Sequence, residues 1–144
     1  MTTPTPLLIA DLTAWLANLS GFVAGERLFY YQAAEKKAEA HKVDGFAVIT
    51  GTGGPSSLGS PIRVPTFQIT CRATSAAVAS QLAQDLFELM FPVPGLPRRM
   101  VALSAAWRAN AIDVVNSPSK IGLDESKQFQ QVAFNIVLRV VRLA

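Results

Sequence analysis

Across residues 65–91, PTFQITCRATSAAVASQLAQDLFELMF, the apolar spacing changes from two to between three and four, with only a few residues separating the two regimes. Phe67, Ile69 and Cys71 alternate with Gln68, Thr70 and Arg72, which is the pattern of a strand with one core face and one polar face. Val78, Ala79, Leu82, Ala83, Leu86, Leu89 and Met90 then recur at helical spacing, opposite Gln81, Gln84, Asp85 and Glu88. Thr74 or Ser75 is placed to cap this helix, and Pro92, Pro94, Gly95 and Pro97 forbid it beyond about Phe91. Pro65 cannot donate to a ladder, so the strand begins after it or lies at an edge there. A strand locked so closely to an amphipathic helix makes a rigid wedge.

The rest of the chain supplies partners for that wedge. Leu8, Leu12, Trp15, Leu16 and Leu19 form one apolar stripe, which predicts a helix over residues 6–19 that Gly21 ends. Residues 22–31, rich in aromatics and interrupted at Gly25, read as one bent strand or two segments split by the glycine. Residues 32–44 are open between helix and irregular connector. Residues 45–50 form a strand that runs into a loop over residues 51–61, rich in Gly, Pro and Ser. Residues 98–116 hold one or two strands, best at residues 111–115, and residues 116–127 read as a second polar loop. At the C-terminus Val132, Phe134, Ile136, Leu138 and Val140 alternate along a long strand with apolar residues on both faces, the mark of a central strand covered on both sides. The order of elements predicts an α+β fold: one domain over residues 1–144, with a largely antiparallel or mixed sheet flanked by two main helices.

Composition narrows the function classes. Half of the 144 residues are hydrophobic and 16% are charged, so the chain has little polar surface for its size, and burial against partners is expected. The charge of +3, from 13 Lys and Arg against 10 Asp and Glu, is spread without a basic stripe or recognition helix, so no sequence-specific nucleic-acid binding is expected. No apolar run is long enough to span a bilayer, and the first residues lack the basic region of a signal peptide; the expectation is a protein made in a cytoplasm, with no membrane contact.

Few residues invite chemistry. His41 is the one histidine and Cys71 the one cysteine, which leaves no disulfide framework and no multi-cysteine metal site. A Cys71–His41 nucleophile pair fails because Cys71 falls on the core face of its strand. The Gly-Thr-Gly-Gly of residues 51–54 lacks the Lys and Ser or Thr of a phosphate loop and the helix of a dinucleotide site. Asp124 and Glu125 lack the alternating spacing of a calcium loop. Arg98 and Arg99 suit a partner's phosphate or carboxylate, or a solvated rim. No catalytic residue, cofactor site or metal site is predicted.

Ordered pieces spanning nearly the whole chain resemble the tail terminator proteins of long-tailed phages, also described as minor capsid or tail completion proteins. They are the leucine-rich first helix, GERLFYY, FAVITGTGG running into a Gly-Gly turn, PTFQITCRATSAAVASQLAQDLFELM, and SPSKIGLDESKQFQQVAFNIVLRV with its Leu-Gly-x-Asp-Glu loop and Phe-Asn strand centre. Residues 30–44 depart from the pattern, since similar proteins carry a short connector with Pro and Asp there. The resemblance implies a virion protein of the tail or neck without catalytic residues or cofactor. It would form a homo-oligomeric ring, typically a hexamer, that caps the tail tube, stops its polymerisation and meets the head connector or stopper. On that expectation Phe67, Ile69, Cys71, Leu82 and Leu86 lie in the core. Contacts to ring or tube fall on residues 51–61 and 116–127, with Gly53, Gly54, Ser57, Arg98, Arg99, Lys120, Asp124 and Glu125 as candidates. Two alternatives stand beside it: another neck or tube component, or a small enzyme or binding domain using Cys71 or the glycine loop.

Overall fold

A computed structural model describes residues 8–53 and 62–143. In chain order its elements are α1 (Leu8–Ser20), β1 (Leu28–Tyr30), α2 (Glu35–Ala40), β2 (Phe46–Gly53), β3 (Ile62–Arg63), β4 (Thr66–Ala73), α3 (Ala76–Met90), β5 (Arg98–Ala102), β6 (Trp107–Leu123) and β7 (Gln130–Arg142). The strands form one mixed sheet in the order β1-β2-β4-β7-β6-β5, curled as a half-barrel, with β3 continuing alongside β7. Among the described strands only β1 and β2 pair in parallel. The fold is α+β.

The C-terminal alternation becomes the middle of the sheet because β7 has a full antiparallel neighbour on each side, β4 and β6. Its residues Val132, Phe134, Ile136, Leu138 and Val140 all face the helix layer and are buried. There they meet Ile69 and Cys71 of β4, the stripe of α3 from Ala79 to Met90, and Ile9, Leu12 and Leu16 of α1. The Phe87 ring stands edge-on to Phe134, with centroids 5.4 Å apart, and so ties α3 to the central strand. Such a pair adds about 0.5–1.5 kcal/mol to the burial of the rings. All five expected core residues, Phe67, Ile69, Cys71, Leu82 and Leu86, lie in this cluster.

The opposite face is covered only at one end. Phe46 and Val48 of β2 join Phe29, Ala38 and Phe129 in a second cluster, where the Phe46 ring meets Phe29 and Phe129 edge-on at 6.1 and 5.2 Å. Beyond α2 this face carries Thr50, Gln68, Asn135 and Asn116, aligned by the strand register, so the expectation that β7 is covered on both sides holds only near that cluster. A six-residue helix is too short to cover the rest.

Local differences from the sequence reading have physical causes. Gly25, with φ +83°, turns the chain and divides residues 22–31 into a bridge at Ala24 and strand β1, the second of the two readings. Residues 35–40 are helical, anchored through Ala38. Ser75 occupies the cap position of α3 without a side-chain bond; Thr74 instead donates its hydroxyl to the Lys42 carbonyl. Leu89, expected on the core stripe of α3, is 40% exposed although Leu86 and Met90 of the same turn are buried, so Leu89 lies at the margin of the stripe and not on the face that meets the sheet. Of the loop expected over residues 51–61, Gly51 and Gly53 instead pair with Phe67 and Thr66 in the sheet, and residues 54–61 lie outside the described residues.

The largest correction concerns residues 116–127. Instead of a polar loop, residues 116–123 continue β6 and pair with Gln130 to Asn135 of β7, leaving only the turn after Leu123. Four register irregularities interrupt β6, and Pro118 falls within one of them, where its missing N–H costs no ladder bond. These bulges break the period of two, so the alternation test could not find the strand.

Gly45 offers a test of the α3–sheet contact. Its φ is +92°, and an added Cβ would lie 3.0 Å from Leu82 Cδ2 and 3.4 Å from the Arg72 carbonyl oxygen. At Gly25, also left-handed, a Cβ would meet nothing within 4 Å. Gly45→Ala should therefore lose about 2–3 kcal/mol of stability and Gly25→Ala about 1 kcal/mol, from backbone strain alone. Urea unfolding of the two variants measures the difference.

Candidate functional site

The residues singled out from sequence do not converge. Gly53 closes β2 opposite Thr66, while Gly54 and Ser57 lie outside the described residues. Arg98 and Arg99 sit on β5 at one edge of the sheet. Lys120, Asp124 and Glu125 lie at the far end of β6, nine or more residues beyond Ala111, the partner of Arg99. At the rise of a strand that separation is about 30 Å. They belong to different surfaces.

Arg98 is held within the fold. Its Nε and Nη2 donate to the carbonyl oxygens of Met90 and Leu89, both at 2.9 Å, and its guanidinium lies 5.5 Å from the centroid of the Trp15 ring. It thereby satisfies the last turn of α3, where carbonyls lack intrahelical donors and a cation is favoured. Arg99, one residue on, is exposed. The adjacent pair thus divides into a structural residue and a free surface cation.

Asp124 organises the β6–β7 turn. Its carboxylate accepts bonds from the Ser126 hydroxyl and from the amides of Gln128 and Phe129. Partial burial pushes its pKa up, but these bonds, with the attraction of Arg72, outweigh that and hold the carboxyl below its ordinary 3.8. Glu125 points to solvent. The two carboxylates do not share a site.

His41, Arg27 and Cys71 are structural as well. His41 Nδ1 lies 3.1 Å from Asp44, and Arg27 donates to the Gly45 and Asp44 carbonyls, stacks over the Phe22 ring at 4.2 Å and closes the connection between α2 and β2. Cys71 is buried in the main core, and burial pushes its thiol far above the usual range. Among the described residues no three His, Cys, Asp or Glu side chains stand together as metal ligands, and no helix is long and apolar enough to cross a membrane.

What sequence reasoning missed is where apolar side chains are left on the surface: apart from Val43 and Ile62, they gather in three places. Val23, Tyr30 and Tyr31 flank the β1 edge. Leu89, Val93, Leu96 and Met100 surround the end of α3 and the β5 edge. Val115, Ile121 and Leu123 lie along the outer half of β6. Among the described residues three non-glycine residues have left-handed backbone: Tyr31 (φ 68°) and Met100 (φ 53°), both more than half exposed, and Lys127 (φ 60°) at the hairpin turn. One such residue marks each region, and strain of this kind persists only where surrounding structure enforces it. The one legible signal was the turn FPVPGLP, whose three prolines hold Val93 and Leu96 outside both the helix and the strand.

Between the end of α3, the proline turn and β6 lies a groove of about 600 Å³. Phe87, Phe91, Leu96 and Val114 supply apolar walls, and its two charged lining residues, Glu88 and Asp113, are both acidic. Gln84 donates to Glu88, Asp113 accepts from the Val114 amide, and among the described residues neither carboxylate forms an ion pair.

Two measurements separate structural from surface roles. Arg98→Ala should cost about 1–3 kcal/mol by leaving two helix-end carbonyls and the Trp15 face without their partner, whereas Arg99→Ala should stay within about 0.5 kcal/mol of the parent in urea unfolding. Asp124→Ala should destabilise the protein by about 1 kcal/mol at neutral pH through lost turn bonds. Because the folded pKa is depressed, the ionised carboxylate stabilises at pH above 3.8 and that contribution disappears as pH falls through the folded value, so parent and variant should converge in acid. Compared with known proteins, the chain matches no protein-family model, and no curated protein is significantly similar to it.

Proposed function

We propose that this chain is a structural virion protein, a tail terminator that assembles head to tail into a ring, of six copies on the family resemblance. It caps the tail tube, ends its polymerisation and presents a surface to the head connector. The observation that carries this reading is the placement of exposed apolar residues on unlike edges of one rigid wedge. Tyr30 and Tyr31 lie at the β1 edge, and Met100 and Leu96 at the β5 edge, with the whole width of the sheet between them. A surface that associates with its own copy through one patch makes a two-fold dimer. Two different patches make head-to-tail contacts, which close into a ring when the rotation between copies allows.

The sequence resemblance adds the direction. Its pieces occur in order over nearly the whole chain, and they fall on the elements that build the wedge: GERLFYY on β1, FAVITGTGG on β2, PTFQITCRATSAAVASQLAQDLFELM on β4 and α3, and the last piece on β6 and β7. The reading assigns no catalytic step and no cofactor to the chain. Its partners are further copies of itself, the tail tube protein and the head connector.

The mass of the purified protein across a concentration series, alone and with tail tubes, tests the reading, together with micrographs of the mixture. A closed ring, in solution or only at one tube end, is the expected result. Open stacks would point to a tube subunit, and a monomer indifferent to tube ends would overturn the assignment.

A further inference from the structure

We infer that the outer half of β6 of one copy docks into the acidic groove beside α3 of the next, with Lys120 meeting Glu88 and Asp113. This contact rests on the ring reading and adds, to the β1 and β5 edges named there, a further pair of unlike surfaces at which its subunits meet. The groove has aromatic and aliphatic walls and two carboxylates that, among the described residues, form no ion pair. Its occupant must therefore bring apolar side chains together with a positive charge. Residues 115–123 are such a segment. Ile121 and Leu123 are each about half exposed, at 48% and 50%, and Lys120, the one charged residue of the segment, is exposed beside them.

The geometry excludes docking within one chain. Val114 lines the groove and Ile121 lies seven residues further along the same strand, held there by pairing with β7. At the rise of a strand the two are about 20 Å apart. The segment can reach a groove only on a second copy. Because groove and segment are different patches, each copy offers one of each to a different neighbour, which is a head-to-tail contact. Asp124, the nearest acidic residue after the segment, spends its carboxylate on the turn and leaves Lys120 as the segment's free charge.

Charge reversal tests the contact, because both residues are exposed and neither supports the core. Glu88→Lys and Lys120→Glu should each raise the concentration needed for assembly at least tenfold, and the double reversal should restore most of the loss. Thermal melting of each variant at low concentration checks that the monomer remains folded. A second measurement joins the surfaces covalently: Leu96→Cys with Ile121→Cys should give, on oxidation, a ladder of cross-linked species ending at the ring, since Cys71 is buried and silent. A dimer as the end product would mean a two-fold contact and overturn the proposal. So would a parent ring that neither charge reversal weakens, with the ring reading intact. A parent that stays monomeric alone and on tail tubes overturns both.

Discussion

Everything in this fold depends on the two-sided pairing of β7. A strand hydrogen-bonded along both edges has its register fixed twice, by β4 and by β6, and a slip of one residue would turn Phe134, Ile136 and Leu138 away from the helices. With the register held, those residues present one continuous apolar row, and Phe87 of α3 closes on Phe134. The short link from β4 into α3 then leaves the helix little freedom but to lie across that row. The rigidity of the wedge comes from this coupling of register to packing.

That coupling explains which parts of the fold were legible in the sequence. The segment 65–91 and the C-terminal alternation stand on period alone, and both elements and their shared core follow from it. The six-residue helix α2 was open because one buried residue, Ala38, leaves almost no stripe to read. The far half of β6 was hidden for the opposite reason. Its backbone is paired, but bulges, Pro118 and Gly122 at φ +91° destroy the alternation, and its side chains face water. Backbone pairing imposed by a neighbour leaves no mark in residue type.

The surface features followed a similar division. Arg98 and Arg99 are equivalent in sequence, and only the position of the α3 terminus makes one a helix cap and leaves the other free. Asp124 reads from sequence as a carboxylate of a polar loop and is instead the acceptor that shapes a turn. The groove beside α3 was out of reach of sequence because Glu88 and Asp113 are twenty-five residues apart and meet only through the antiparallel return of the chain. An excess of apolar residues could be counted from composition, but its division among three regions required the fold.

The outer edge of β6 connects packing to the proposed assembly. Among the described residues β5 pairs with β6 only as far as Ile112, so the backbone beyond it faces outward without a neighbouring strand. A flat edge of that length would invite open-ended strand addition. The register irregularities, Pro118 and Lys120 oppose it by twisting the edge, removing a donor and placing a charge there. On the proposed contact, association moves from interchangeable backbone bonds to the side chains of Lys120, Ile121 and Leu123 and the groove of the next copy. Backbone ladders tolerate many registers and extend indefinitely, whereas a side-chain fit fixes one angle between neighbours. On the proposed function that is what a terminator requires, because a ring that closes at a set number of copies has no free edge left on which a tube could continue to grow.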